Sequence, residues 1–347
     1  MLSSRFLDDK KPAIALSNSQ LKNKKIVEKK ITDGIYKFEK VKCAICKSEN
    51  FKTLSKKDRH GLYSSFVICK NCGLIQINPR MDQKSYNNFY NDEYRKVYSE
   101  TGKPADRFFR NQRFTGKLIY DLIRSKSNKN IKNLFVVEVG TGAGGILQYF
   151  KEKGNLVYGV DLGTQYISFG KKKGLNLETG TIKNVLKLNK KADIIIYSHV
   201  FEHILNPMDE LKVIRKCLKK NGLLYIEVPG VKNLLNSYGQ DFLKYLQNAH
   251  TYNFSLTTLN NCLQQEGFEM LYGDEYIKSI FIIGKKKTIY TNDYFKALSF
   301  LNYLEDLRLK RFSFQKLKLK LRSLFIQTLK KTKTFELFVR MYRKLHT

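Results

Sequence analysis

Between residues 133 and 284, short apolar runs alternate with segments of helical period, and this rhythm constrains the fold more than any other feature. The runs Asn133–Glu138, Leu156–Asp161, Ala192–Ser198 and Leu223–Val228 are near-continuous Val, Ile and Leu. Strands covered on both faces read this way, whereas strands with one wet face alternate apolar and polar residues. Helical segments between them imply crossovers of the βαβ kind and a mostly parallel sheet. Two further runs, Phe268–Tyr276 and Lys278–Gly284, are too close for a crossover and predict an antiparallel hairpin that completes the sheet.

The first run leads into Glu138-Val-Gly140-Thr141-Gly142-Ala-Gly144-Gly145, followed by a predicted helix over Ile146–Lys153. Glycines in such a turn let a ligand approach the backbone at a helix N-terminus, where N–H groups are free to donate. Asp161 ends the next run, 21 residues after Gly140, where a carboxylate can accept from both hydroxyls of a ribose. Nicotinamide-dependent dehydrogenases satisfy the same geometry, so these features alone leave two classes open.

The remaining motifs separate them. The glycine turn, then Ala192-Asp-Ile-Ile-Ile-Tyr-Ser-His-Val-Phe-Glu-His203, Asn206-Pro207 and Leu218-Lys-Lys-Asn-Gly-Leu-Leu-Tyr-Ile-Glu-Val-Pro229 together resemble the class I S-adenosylmethionine-dependent methyltransferases over residues 134–284. The resemblance implies an α/β, Rossmann-like domain in which Glu138, Gly140, Thr141 and Gly142 lie along the methionine part of S-adenosylmethionine. It implies that Asp161 holds the ribose, that Leu162 and Ile182 flank the adenine, and that Ser198 lies beside the methyl donor. Many relatives carry an acidic residue just before the adenine-flanking position, whereas this chain has Gly180-Thr181 there.

Candidate catalytic groups follow the fourth run. His199, Glu202 and His203 stand at i, i+3 and i+4, so one helical turn gathers them at the mouth of the sheet; His250 lies in the loop before the last helix of the domain. Methyl transfer to a hydroxyl requires a base, and histidine titrates in the right range. The same set could hold a divalent metal, and His203 could instead fix its loop through a backbone hydrogen bond. Tyr252 is expected to pack as an aromatic, with substrate contact as its other role.

Ahead of this domain, Cys43-Ala-Ile-Cys46 and Cys69-Lys-Asn-Cys72 form two CxxC pairs. Thiols in a chain without an export signal remain reduced, and this spacing closes one tetrahedral Zn²⁺ site with four protein ligands, structural and not catalytic. A zinc-ribbon module joined through Gly-Leu-Ile-Gln-Ile-Asn-Pro79-Arg80 to a methyltransferase domain resembles a bacterial arrangement of surface-polysaccharide and sugar biosynthesis, including sugar C-methyltransferases. Larger members carry a further C-terminal catalytic domain for which this chain has no room, so O- or N-methylation stands beside C-methylation.

The resulting division is a loose polar leader with at most a short helix over 1–36, the zinc module over 37–80, a helical connector over 81–130, the methyltransferase domain over 131–285 and a basic amphipathic helical tail over 286–347. Most of the connector's aromatics, Tyr86, Phe89, Tyr90 and Tyr94 among them, are expected in the core. No apolar run is long enough to span a bilayer, and the expectation is a cytoplasmic protein. A net charge of +33 favours polyanions, although evenly spread lysine can merely solvate a surface. Residues 285–347 hold 17 Lys/Arg against 4 Asp/Glu, which suits an anionic membrane or other acidic surface, or else helices packed back on the catalytic domain or on a second subunit. The leading function is methylation of a small-molecule or glycan acceptor, a sugar above all. The rivals are an RNA methyltransferase and a cofactor-fold scaffold without turnover.

Overall fold

The computed structural model describes residues 1–98 and 106–331, with some side chains beyond 314 left aside; positions 99–105 of the connector and the tail from 332 lie outside it. The first strands, β1 (Phe38–Glu39), β2 (Phe51–Lys57), β3 (Tyr63–Cys69), β4 (Ile75–Ile77) and β5 (Arg80–Met81), belong to the cysteine module. The main domain contributes β6 (Phe135–Val139), β7 (Leu156–Asp161), β8 (Leu177–Thr179), β9 (Ala192–Ser198) and β10 (Leu218–Glu227). It continues with β11 (Tyr252–Asn253), β12 (Phe268–Gly273) and β13 (Lys278–Ile283).

Seven strands form one sheet in the order β12-β13-β10-β9-β6-β7-β8, parallel from β10 to β8, with β13 antiparallel to both β10 and β12. The α/β, Rossmann-like architecture with its terminal hairpin is therefore as the sequence indicates. Two apolar layers cover the sheet. Val137, Ile195, Tyr197 and Leu224 face one layer, and Val136, Ile194, Ile196 and Tyr225 face the other. This two-sided burial explains why the strand sequences do not alternate. The order reverses between β6 and β9, so a crevice opens at their carboxyl ends.

Two expectations are corrected. The leader is not loose: Asn18–Thr32 is a helix whose capping box pairs Ser17 with Gln20, and Val27 on it is buried with Tyr36, Phe89 and Val97. Phe6 is buried among Leu54, Phe66 and Phe242, while Arg5 bridges Asp241 at 2.8 Å and Glu305 at 3.3 Å. The module boundary at residue 80 is not a boundary of its sheet either. The four-stranded order is β11-β4-β3-β2, and its edge strand β11 comes from the main domain, with Tyr252 opposite Gln76.

The final helix, Tyr294–Lys331, divides in two. Tyr294, Ala297, Leu301 and Leu304, spaced three and four apart, are buried beside Phe6, Phe242 and Leu246, the packed-back arrangement. Beyond Glu305 the described side chains are half-buried or exposed. No helix among the described residues is long and apolar enough to cross a membrane.

Candidate active site

The turn after β6 is built on left-handed backbone at Gly140 (φ +71°), Gly142 (φ +55°) and Gly144 (φ +81°). A Cβ on Gly140 would lie 2.2 Å from Val200 Cγ2, so glycine is required there by sterics as well as by conformation. The turn is held from beneath and from the side. Thr141 Oγ1 donates to Glu138 Oε2 at 2.7 Å, and Gln112 Nε2 donates to the Thr141 carbonyl at 3.1 Å while its Oε1 accepts from Gly145 N–H at 3.4 Å. Asp161 accepts from Gly142 N–H at 2.8 Å through one oxygen and from Gly163 N–H at 2.6 Å through the other. A carboxylate has about four acceptor positions, so two remain free to receive hydroxyls.

These groups line a cavity of about 1010 Å³ at the carboxyl end of the sheet. Glu138, Gly140, Gly142, Asp161, Leu162, Ser198 and His199 all face it. Thr141 does not, because its hydroxyl is turned inward to Glu138. Ile182 departs from its expected place beside an adenine. It opens a short helix and its side chain, 0% exposed, packs into the core with Val185 and Cys217, leaving Gly180 and Thr181 to line the cavity.

Burial, opposed by the Thr141 hydroxyl and assisted by nearby Asp161, pushes the Glu138 carboxyl up to about 8. A carboxyl raised in the folded state keeps its proton between its ordinary 4.5 and about 8, where the unfolded chain has already lost it, so stability falls as pH rises through that window. Glu138→Gln should remove this fall, leaving a thermal midpoint that changes less between pH 6 and 8.5 than the wild type's, by an amount equivalent to a few kcal/mol. Identical pH profiles for the two proteins would mean that Glu138 is ionised throughout.

His199, Glu202 and His203 come together as the spacing suggests, through a 3₁₀ turn at Phe201–His203. His199 sits at φ +56°, a left-handed conformation uncommon outside glycine, with its N–H donating to the Glu227 carbonyl at 2.8 Å. Its half-exposed ring faces the cavity, and Nδ1 stands 3.8 Å from Glu202 Oε1, within ion-pair reach. Partial burial works against a charged ring, but the Glu202 carboxylate outweighs it and raises the His199 pKa.

Glu202 itself is 1% exposed, and neither of its oxygens has a hydrogen-bond partner. Burial would raise its pKa, yet the His199 imidazole beside it works the other way and holds the carboxyl below its ordinary value. His203 places Nδ1 2.8 Å from the Ala249 carbonyl, so Nδ1 carries the proton and Nε2 is left facing Glu202 at 3.9 Å. The His250 ring lies edge-on to His203, 4.8 Å between centroids, and burial pushes its pKa down to about 3. Ligand atoms of Glu202, His203 and His250 lie within 4.8 Å of one another.

Several wall residues escape a reading of the sequence. Tyr90 and Tyr94, expected in the core, belong to a π-helical turn over Tyr90–Tyr94 and stack at 4.6 Å across the cavity wall, each against His203. Phe108 and Gln112 of the helix Asp106–Ser127 close another side, and Arg95 covers the Tyr166 ring at 3.8 Å. Glu227, ending β10, accepts from Ser198 Oγ at 3.3 Å and from the Tyr225 hydroxyl at 3.0 Å. Aromatic spacing cannot distinguish a core face from a wall, and these two rings serve as both, half-buried against the core and lining the cavity.

The cysteine module is tied to this site. The four Sγ atoms lie within 4.8 Å of one another, with Cys43–Cys72 and Cys46–Cys69 both at 3.4 Å, near the separation of about 3.8 Å that a tetrahedral Zn–S distance of about 2.3 Å demands. The donor set therefore fits a closed, four-thiolate zinc site. From the same module Arg80 donates to the Leu205 carbonyl and contacts the Tyr252 hydroxyl, which in turn donates to Leu205 at 2.8 Å. Tyr252 is thus a packed, hydrogen-bonded residue two positions from His250.

Residues 109–272 match a family model described as a methyltransferase domain. A ubiquinone biosynthesis O-methyltransferase from Pelagibacter ubique is 29% identical over 126 residues, covering 35% of this chain and 52% of the relative, so the chain spans about half the length of the curated protein it matches. Among solved structures, an S-adenosylmethionine-dependent methyltransferase from Archaeoglobus fulgidus is 24% identical, with a TM-score of 0.37, over 44% of this chain and 69% of its own. One from Clostridium acetobutylicum is 14% identical, with a TM-score of 0.40, over 57% and 99%. At these TM-scores neither bears on what the protein does.

Proposed function

We propose that this protein, whose residues 109–272 form a methyltransferase domain of class I architecture, moves a methyl group from S-adenosylmethionine to a hydroxyl of a polar small molecule or glycan, a sugar foremost. The observation that carries the reading is Asp161, fixed by two backbone N–H groups with acceptor capacity left over, facing a glycine turn in one cavity. S-adenosylmethionine would supply an electrophilic methyl group on a sulfonium. Asp161 would hold the ribose, Gly140, Gly142 and Glu138 the methionine part, and Leu162 with the Thr181 edge the adenine. A cavity of about 1010 Å³ is at the upper end for a single ligand, which leaves room for an acceptor beside the donor.

Tyr225, Glu227 and Lys278 give that cavity a polar floor suited to hydroxyl groups. His199 is the group positioned to take the acceptor's proton: Glu202 faces Nδ1, which leaves Nε2 for the cavity. The base form is the neutral ring, so turnover should rise with pH through a pKa above 6.5. His199→Gln should lower kcat by about 10²–10⁴ with little change in donor affinity. An unchanged kcat would assign the proton transfer elsewhere. The relative's name supports oxygen as the acceptor atom.

A second reading concerns Glu202, His203 and His250. A buried carboxylate with two unpartnered oxygens is costly unless a cation neutralises it, and His203 shows the backbone-held tautomer that frees Nε2 for ligation. A divalent cation held there would act as a Lewis acid toward an acceptor oxygen. Titration of metal-stripped protein with Mn²⁺ or Zn²⁺, followed by calorimetry, should show one site beyond the cysteine cluster that Glu202→Gln abolishes; identical titrations of both proteins would discard it.

The whole proposal is tested by incubating nuclease-treated protein with labelled S-adenosylmethionine and nucleotide sugars. Formation of S-adenosylhomocysteine that depends on the sugar is the expected result. Donor binding with no turnover on any hydroxylated acceptor, but label transfer to RNA, would replace the sugar reading; no donor binding at all would end it.

A further inference from the structure

We propose that the outer half of the last helix docks the protein on an anionic lipid surface, an inference independent of the catalytic reading. The root of this helix is fixed in the body: Tyr294, Ala297, Leu301 and Leu304 are buried, and Arg308 pairs with Glu305 at 2.8 Å. Past that point the helix continues to Lys331, and Phe314, Leu317 and Leu321 on it are exposed. Phe314 is 68% exposed, Leu317 54% and Leu321 58%. At 100° per residue these three fall within an arc of about 60°, one continuous ridge.

Exposed large apolar side chains on a single ridge are a cost in water unless something covers them. The charge of the segment selects what that is. Residues 307–331 contain nine Lys/Arg and no Asp/Glu. A second copy of the same helix would set nine positive charges against nine, which disfavours self-pairing. Nucleic acid would use the cations but not the Phe and Leu ridge. A bilayer with anionic headgroups uses both, because the rings and aliphatic chains enter the acyl boundary while Lys310, Arg311 and Lys318, all exposed, reach the headgroups.

The full chain should therefore co-sediment with vesicles of phosphatidylcholine and phosphatidylglycerol at 7:3, and at least about 10-fold less with phosphatidylcholine alone. F314S/L317S/L321S, which keeps every charge and alters only exposed positions, should retain the wild-type thermal midpoint and lose at least about 10-fold in vesicle affinity. The proposal is overturned if the wild type stays in the supernatant with anionic vesicles, or if the triple variant sediments as well as the wild type. It is equally overturned if the ridge proves to mediate dimers in solution without any vesicle binding. Removal of nucleic acid beforehand keeps a bridging polyanion from producing the expected result.

Discussion

Asp161→Ala should bind S-adenosylmethionine at least about 10²-fold more weakly than the wild type, because two charge-assisted hydrogen bonds of about 1.5–3 kcal/mol each disappear together. The carboxylate is held by Gly142 and Gly163 N–H groups before any ligand arrives, so the ribose would meet a preformed acceptor. The same substitution frees the turn it braces, adding an ordering cost to binding. Asp161→Asn would present an amide N–H toward at least one of those N–H donors, and it should fall nearly as far. Calorimetric titration measures both. A folded Asp161→Ala protein with undiminished affinity would remove the ribose assignment and the proposed function with it.

The second large effect is expected from the cysteines. Structural zinc contributes on the order of 10 kcal/mol or more to the folding of the module that binds it. Cys69→Ser should therefore lose one equivalent of zinc by elemental analysis and lower the thermal midpoint by well over about 10 °C. The damage should be uneven across the cavity. Arg80 and β4 hold Leu205, Thr251 and Tyr252, the backbone on which His203 and His250 depend, whereas the glycine turn and Asp161 rest on β6 and β7. Below its midpoint the variant should keep donor binding within about 10-fold while acceptor turnover falls at least about 10²-fold. Full turnover in zinc-free protein would reduce the module to an ornament of the fold.

What could be read from the sequence follows from how local each feature is. The strands β7 and β9 are visible as apolar runs to the residue, since burial on both faces leaves an unbroken signal. The glycine turn and Asp161 can be picked out because turn and acid stand at a characteristic separation, and the four cysteines because they come as two CxxC pairs that the fold brings within 4.8 Å of one another. Strand β11 could not be read: two residues in a polar stretch become a strand only because β4 offers an edge 176 positions earlier. Ile182 is expected beside the adenine from the family resemblance alone, which does not tell that its side chain, opening a short helix, packs into the core. The leader helix carried its capping box in plain view, yet its few apolar residues gave no sustained period, and its stability comes from Phe89 and Val97.

The strand that β11 lends to the cysteine module has a bearing on how such a chain can be taken apart. A fragment ending before residue 250 would present β4 as an open edge, a template for pairing with other chains and a site of aggregation. Transplanting residues 37–80 onto another protein would carry the four cysteines but leave the sheet one strand short. The portable unit is discontinuous: it includes Thr251–Asn253 and the Asp293 backbone N–H that donates to the Cys72 carbonyl. During synthesis on the ribosome, the module therefore waits for more than half of the chain before its last strand can dock.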